Sequence, residues 1–142
     1  MKCDIILAGV GGQGVLSISS IIAASALKEG LHVKQSEVHG MSQRGGAVQS
    51  NLRLASEAIH SDIVPLGTAD MILSMEPVES LRYLEFLAPD GFVLTATEPV
   101  ENIPDYPNVD EILAKVRSLP KARTLEAAKL ARKAGSARAS SS

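Results

Sequence analysis

Aromatic side chains make up 3% of the 142 residues, with two Tyr, two Phe and no Trp. The core must therefore be built from Ile, Leu, Val and Ala. Stacking surfaces for unpaired nucleic-acid bases are nearly absent, which argues against single-strand binding. The lone Cys3 excludes an intrachain disulfide framework, a four-cysteine zinc site and an iron–sulfur cluster held by this chain alone. No apolar run reaches the length of a membrane span, because Ser17, Ser19, Ser20 and Ser25 punctuate the longest one. Met1-Lys2-Cys3-Asp4 leads straight into a strand without a signal-peptide pattern, so a cytoplasmic protein with no membrane and no nucleic-acid partner is expected. Also absent are a Gly-x-Ser-x-Gly elbow, a Walker lysine, paired catalytic carboxylates and two histidines at metal-ligand spacing.

What is present is ordinary in proportion: 45% hydrophobic and 21% charged residues, as in a globular domain. Net charge is −2, unevenly spread: residues 1–114 hold 6 Lys/Arg against 15 Asp/Glu, and residues 115–142 hold 8 against 1. The basic end reads either as a solvated helix face or as a patch for an acidic partner or a phosphate.

The chain is organised around Gly9-Val10-Gly11-Gly12-Gln13-Gly14. This turn follows the apolar run Ile5-Ile6-Leu7-Ala8 and opens an apolar segment over 15–27. A strand that ends in a glycine turn and runs into a helix leaves the first helical N–H groups aimed above the sheet. Gly9, Gly11 and Gly14 match the dinucleotide-binding spacing, in which glycines permit the turn, ligand approach and close helix–strand packing.

In order, the sequence predicts a strand over 3–8, a helix over 13–29 stopped by Gly30, and a strand over 32–38 parallel to the first. A glycine-rich loop covers 39–46. Over 47–55, Val48, Ser50, Leu52 and Leu54 alternate with Gln49, Asn51 and Arg53, the pattern of a half-exposed strand that is antiparallel or at an edge. A short strand at 59–62 and a buried one at 69–75 are expected next. Glu76-Pro77 then opens a helix with Val78, Leu81, Leu84 and Ala88 as its buried stripe. Pro89-Asp90-Gly91 reads as a turn and 92–97 as a further strand. Asn108 with Glu111 starts a helix whose Val109, Ile112, Leu113, Val116 and Leu119 share a face. Thr124 is expected to cap a last, alanine-rich helix ending near Gly135. The pattern defines an α/β fold, a three-layer α/β/α sandwich with a Rossmann-like, mostly parallel sheet carrying at least one antiparallel or edge strand.

Ligands of such sheets bind beyond the carboxyl ends of the strands, where the 9–14 turn, the 37–46 loop and Met75-Glu76-Pro77 are all expected. One reading is NAD or flavin binding, with Glu37, about 23 positions past Gly14, on a ribose. In the second loop, Arg44 among Gly40, Gly45 and Gly46 either presents a planar fork to a phosphate or carboxylate, or pairs locally with Glu37. His39 is either a base or a loop histidine that bonds backbone, and His32 and His60 read as exposed strand-end residues.

Ala8-Gly9-Val10-Gly11-Gly12-Gln13-Gly14-Val15, with Ser36-Glu37-Val38-His39-Gly40-Met41-Ser42-Gln43-Arg44-Gly45-Gly46, resembles the gamma-type domain of 2-oxoacid:ferredoxin oxidoreductases. Glu76-Pro77-Val78-Glu79-Ser80-Leu81-Arg82 is similar to the version in the beta subunit of the indolepyruvate branch. The resemblance implies an accessory subunit, not active alone, in a complex that oxidatively decarboxylates a 2-oxoacid to an acyl-CoA and reduces ferredoxin. It implies that thiamine diphosphate and iron–sulfur clusters belong to a larger partner subunit, and that ferredoxin is reached through the complex. It places coenzyme A near Gly9, Gly11, Gly12, Gln13 and Gly14 and near Ser42, Gln43, Arg44, Gly45 and Gly46, with no catalytic residue and no metal ligand in this chain. A free-standing NAD- or flavin-binding oxidoreductase and a non-catalytic scaffold subunit are the alternatives. Family members of this type run on through another strand and helix, whereas this sequence stops in Ser140-Ser141-Ser142. The expected organisation is one gamma-type domain over 1–135 lacking its last strand and helix, with a disordered or truncated tail over 136–142.

Overall fold

The computed structural model describes residues 1–11, 14–39, 46–100 and 106–126, apart from the side chains of Val38 and His39. Its elements in chain order are β1 (Lys2–Val10), α1 (Val15–Lys28), β2 (His32–His39), β3 (Ala47–Ala55), β4 (Ala69–Ser74), α2 (Pro77–Arg82), a 3-10 turn (Leu84–Phe86), β5 (Leu87–Ala96), α3 (Val109–Arg117) and β6 (Ala122–Leu125). The strands form one sheet in the order β2-β3-β1-β4-β5-β6. Only β3 runs against the rest: it pairs antiparallel with both β1 and β2, while β1–β4, β4–β5 and β5–β6 are parallel.

β1 is central because its sequence is apolar on both faces. Ile5 and Leu7 point into one core, beneath α1, with Val48, Leu52 and Leu54 of β3. Ile6 points into the other with Ile72, Val93 and, from α3, Val116. α1 holds neither Gly nor Pro, and its end is a complete Schellman motif: Gly30 N donates to Leu27 O and Leu31 N to Ala26 O, both at 3.0 Å. α3 starts as expected, with Asn108 Oδ1 accepting from Glu111 N at 3.1 Å.

β3 is antiparallel, one of the two expected alternatives, and lies inside the sheet between the parallel strands β1 and β2, so the expected half-exposure is not realised. Its second face is covered by the irregular stretch 56–68 and not by a strand at 59–62. Asn51, 2% exposed, accepts from Val64 N at 3.1 Å, and Arg53 donates to the carbonyls of Ser61 and Ile63. Arg53 also donates to the buried Asp4 Oδ1 at 3.0 Å, while Lys2 lies 3.0 Å from Asp4 Oδ2. These polar residues alternate like solvent-facing ones, yet each finds its partner in a distant loop.

Two further expectations change. α2 ends at Arg82, so Leu81 and Leu84 reach the second core while Ala88 already belongs to β5. The Pro89-Asp90-Gly91 turn is absorbed into β5 as an irregularity opposite Ala69 to Met71. Gly91 is needed there for close approach, since a Cβ would lie 2.9 Å from the Ala69 carbonyl. Thr124 does not cap a helix but sits inside β6, and the alanine-rich stretch to Gly135 lies outside the described residues.

Cys3, near the start of β1, is partly buried. Burial first, and then the nearby carboxylates of Asp70 and Asp4, push its thiol above the usual range, with Lys2 opposing. The folded chain therefore holds this proton at a pH where the unfolded chain releases it. The resulting stability is present below the ordinary thiol pKa and is lost as pH climbs through the folded value. Iodoacetamide labelling of native protein should follow a pH profile displaced to higher pH than labelling in urea; coincident profiles would contradict this environment.

Candidate functional site at the glycine turn

β1 and its neighbour β4 end side by side, tied by Met75 N donating to Ala8 O at 2.9 Å. The chain leaves β1 through α1 on one face of the sheet and leaves β4 through α2 on the other. That divergence is a topological switch point, the place where open α/β sheets form a ligand crevice.

On the β1 side, Gly9 pairs with Val48 and Val10 with Ala47, which draws the start of β3 up to the turn. One residue further, Gly11 N donates to Gly46 O at 2.9 Å. The two glycine motifs, 35 residues apart in sequence, thus meet through their backbones. Gly14 carries φ +81°, left-handed backbone that a side chain resists, and it is the N-cap of α1. Among the described residues no side chain caps this helix, and its first turn holds no acidic residue. A cleft of about 200 Å³ opens here, lined by Gly11, Gly14, Val15, Leu16, Ser17 and Val48. Its walls are apolar and glycyl apart from Ser17, and the first-turn N–H groups of a helix are electropositive, so the cleft suits a ligand with an apolar body and an anionic end.

Of the expected site residues, Gly9, Gly11, Gly14 and Gly46 gather at this cleft or on the pairing that forms it. Gly12, Gln13, Ser42, Gln43, Arg44 and Gly45 lie outside the described residues. Glu37 is on edge strand β2, opposite Ser50, with β3 intervening before β1. Two strand spacings of about 4.8 Å thus separate Glu37's strand from the glycine turn's. A ribose-binding carboxylate belongs on the strand next to the turn, so the topology speaks against the dinucleotide reading. His32 and His60 are exposed, as expected, although His60 lies in the 56–68 stretch and not at a strand end. Among the described residues no group of three His, Cys, Asp or Glu is placed to hold a metal ion, and no helix is long and apolar enough to cross a membrane.

On the β4 side the sequence pointed to the right residues without revealing their role. Glu76, 1% exposed, is the N-cap of α2. Its Oε1 accepts from Glu79 N at 3.0 Å, and its Oε2 accepts from Val100 N at 3.1 Å and from the Tyr106 hydroxyl. Glu79, also buried, receives both Nε and an Nη of Arg82 at 2.9 and 3.0 Å, and these bonds hold the guanidinium pKa above its usual value. Both carboxylates are consumed in structure, so this wall of the crevice is a brace. The clue available in sequence was Glu, a rare N-cap, immediately before Pro at the first helical position.

A doubly wound sheet with a glycine turn at its switch point, and a second glycine motif bonded to that turn through Gly46, defines the class as a Rossmann-like α/β domain. The chain belongs to the pyruvate ferredoxin/flavodoxin oxidoreductase family, whose model matches residues 4–142. It is 38% identical to the indolepyruvate oxidoreductase subunit IorB of Archaeoglobus fulgidus over 143 aligned positions, covering 96% of this chain and 70% of that protein. It is 42% identical over 115 positions to the IorB subunit of Pyrococcus horikoshii, covering 77% of this chain and 56% of the relative. In fold it is similar to the pyruvate oxidoreductase subunit PORC of Thermotoga maritima, with TM-score 0.67 and 21% identity over 93% of this chain and 66% of that one. It is equally similar to the 2-oxoglutarate:ferredoxin oxidoreductase of Magnetococcus marinus, solved with 2-oxoglutarate, coenzyme A and succinyl-CoA bound. There the TM-score is 0.67 at 20% identity, over 95% of this chain and 22% of that one.

Proposed function

We propose that this chain is the accessory subunit of an indolepyruvate-type 2-oxoacid:ferredoxin oxidoreductase of the cytoplasm, and that its two glycine loops shape the coenzyme A site. The Gly11–Gly46 backbone bond carries this reading, because it ties together, beside the cleft, the two motifs that the family resemblance rests on. The complex would decarboxylate an arylpyruvate and join the acyl group to coenzyme A, passing electrons to ferredoxin. Thiamine diphosphate and the iron–sulfur clusters are assigned to a larger partner subunit, in keeping with a chain whose only cysteine is Cys3. A partner surface is supported by α1, which carries a single charged residue, Lys28, and exposes Ile21 (65%) and Leu27 (61%).

In this reading Arg44, two residues before Gly46, supplies the charged contact to a phosphate of coenzyme A. Arg44→Ala in the assembled complex should raise KM for coenzyme A about 10- to 100-fold, the equivalent of one lost charge-assisted bond, with kcat and subunit assembly little changed. An unchanged KM in an intact complex removes the binding role and leaves the loops as interface only.

A further inference from the structure

Positive charge is gathered at one edge of the sheet. Residues 112–125 hold Lys115, Arg117, Lys121 and Arg123 with no Asp or Glu among them, whereas residues 1–114 hold 6 Lys/Arg against 15 Asp/Glu. All four cations are exposed. Lys115 and Arg117 stand on the last turn of α3, Lys121 immediately before β6 and Arg123 within it. β6 is the outermost strand, and among the described residues no strand pairs with its outer edge. Ala122 packs into the core that Val116 of α3 enters, so Ala122 and Thr124 face α3 while Arg123 faces the other side. Arg117 reaches across from α3 and donates from Nη2 to Thr124 Oγ1 at 3.3 Å. Lys121 Nζ donates to the Asp90 carbonyl at 3.3 Å. The cations thus flank β6 on both faces and at its entry. Lys2, Arg53 and Arg82 each meet a carboxylate, but among the described residues none of these four does.

We propose that this edge docks an acidic surface of another protein. Charge selects the occupant. A second copy meeting it edge to edge would set four cations against four, the repulsion by which charged edge strands keep apart. The chain's own continuation has the wrong sign as well, since residues 127–142 add Lys129, Arg132, Lys133 and Arg138 and no acid. Single-stranded nucleic acid finds no ring to stack on, because residues 107–126 contain no aromatic. An acidic protein face supplies the opposite charge to both sides of β6 together, and steers the encounter over about 8 Å at physiological salt. The inference is independent of the proposed function, because it holds whichever protein carries the acidic face.

Carbodiimide cross-linking tests it, on the tagged full chain retrieved with its bound proteins from native cells. The reagent joins an ammonium to a carboxylate only where the two touch. Lys115 or Lys121 should be joined to Asp or Glu of a second protein. The double variant Lys115→Glu with Arg123→Glu should lose the Lys121 link and bind that protein about 10-fold more weakly. Both replaced side chains are exposed and make no hydrogen bond among the described residues, so the thermal midpoint should hold. Lys34→Glu, exposed on the opposite edge strand, should leave the links in place. If the double variant does not fold, about 1 M salt, which shortens screening to about 3 Å, should abolish the wild-type links. No link at Lys115 or Lys121, or links only to carboxylates of this chain in the same or a second copy, would overturn the proposal. So would links that survive that salt, full binding by a folded double variant, or binding abolished by nuclease, which would assign the edge to a nucleic acid.

Discussion

Replacing Glu76 with Ala is expected to lower the unfolding free energy by about 3–5 kcal/mol, which is a large share of the stability of a domain this size. The carboxylate is buried and closes the N-terminus of α2 while anchoring Val100 and Tyr106 from the chain that follows β5. Truncation leaves two backbone N–H groups and a hydroxyl without their acceptor, at about 1–3 kcal/mol for each donor that stays buried. It also removes a helix cap worth about 1 kcal/mol. Glu76→Gln keeps the shape and one acceptor oxygen but turns an NH2 toward donors, so about half the loss is expected. Urea unfolding should show both as shifts in midpoint with little change in slope. A loss below about 1 kcal/mol for the Ala variant would show that Glu76 is not the brace of this wall.

Ile72→Ala is expected to cost about 3 kcal/mol, within the range for removing a buried branched side chain from a packed core. Ile72 is fully buried on β4, in the core shared with Ile6, Val64, Val93 and Val116, where the strands on either side prevent collapse into the space left behind. Ile21→Ala on the outer face of α1, 65% exposed, removes the same atoms and should change stability by no more than about 0.5 kcal/mol. Equal losses for the two would mean that the outer face of α1 is buried in the protein as measured, as it would be in an assembly.

Elements whose cause is local were legible in the sequence. The strand–turn–helix at Gly9 to Gly14, the stop at Gly30, Pro77 at the head of α2 and the Asn108 cap all rest on residues within a few positions of one another. Alternation over 47–55 gave β3 its antiparallel character but not its burial, because Asn51 and Arg53 find their loop partners 8 to 13 residues away. Polar residues that serve as acceptors and donors for a loop have the same spacing as polar residues that face water. Pro89-Asp90-Gly91 failed as a turn for a related reason: the parallel neighbour β4 holds both flanks in the sheet and turns a local bend into a strand irregularity. In the site, the glycines marked the turn after β1, and only the fold shows that Gly11 and Gly46 bond to each other. Glu76 carried no signal of its burial, since its partners Val100 and Tyr106 are 24 and 30 residues away.

Membership in a working oxidoreductase complex is tested by anaerobic affinity purification of the tagged chain from its native cells. The eluate should be brown and contain a larger iron–sulfur chain, with dye reduction that requires both a 2-oxoacid and coenzyme A. A colourless chain without such a partner, which instead binds NAD, would contradict it.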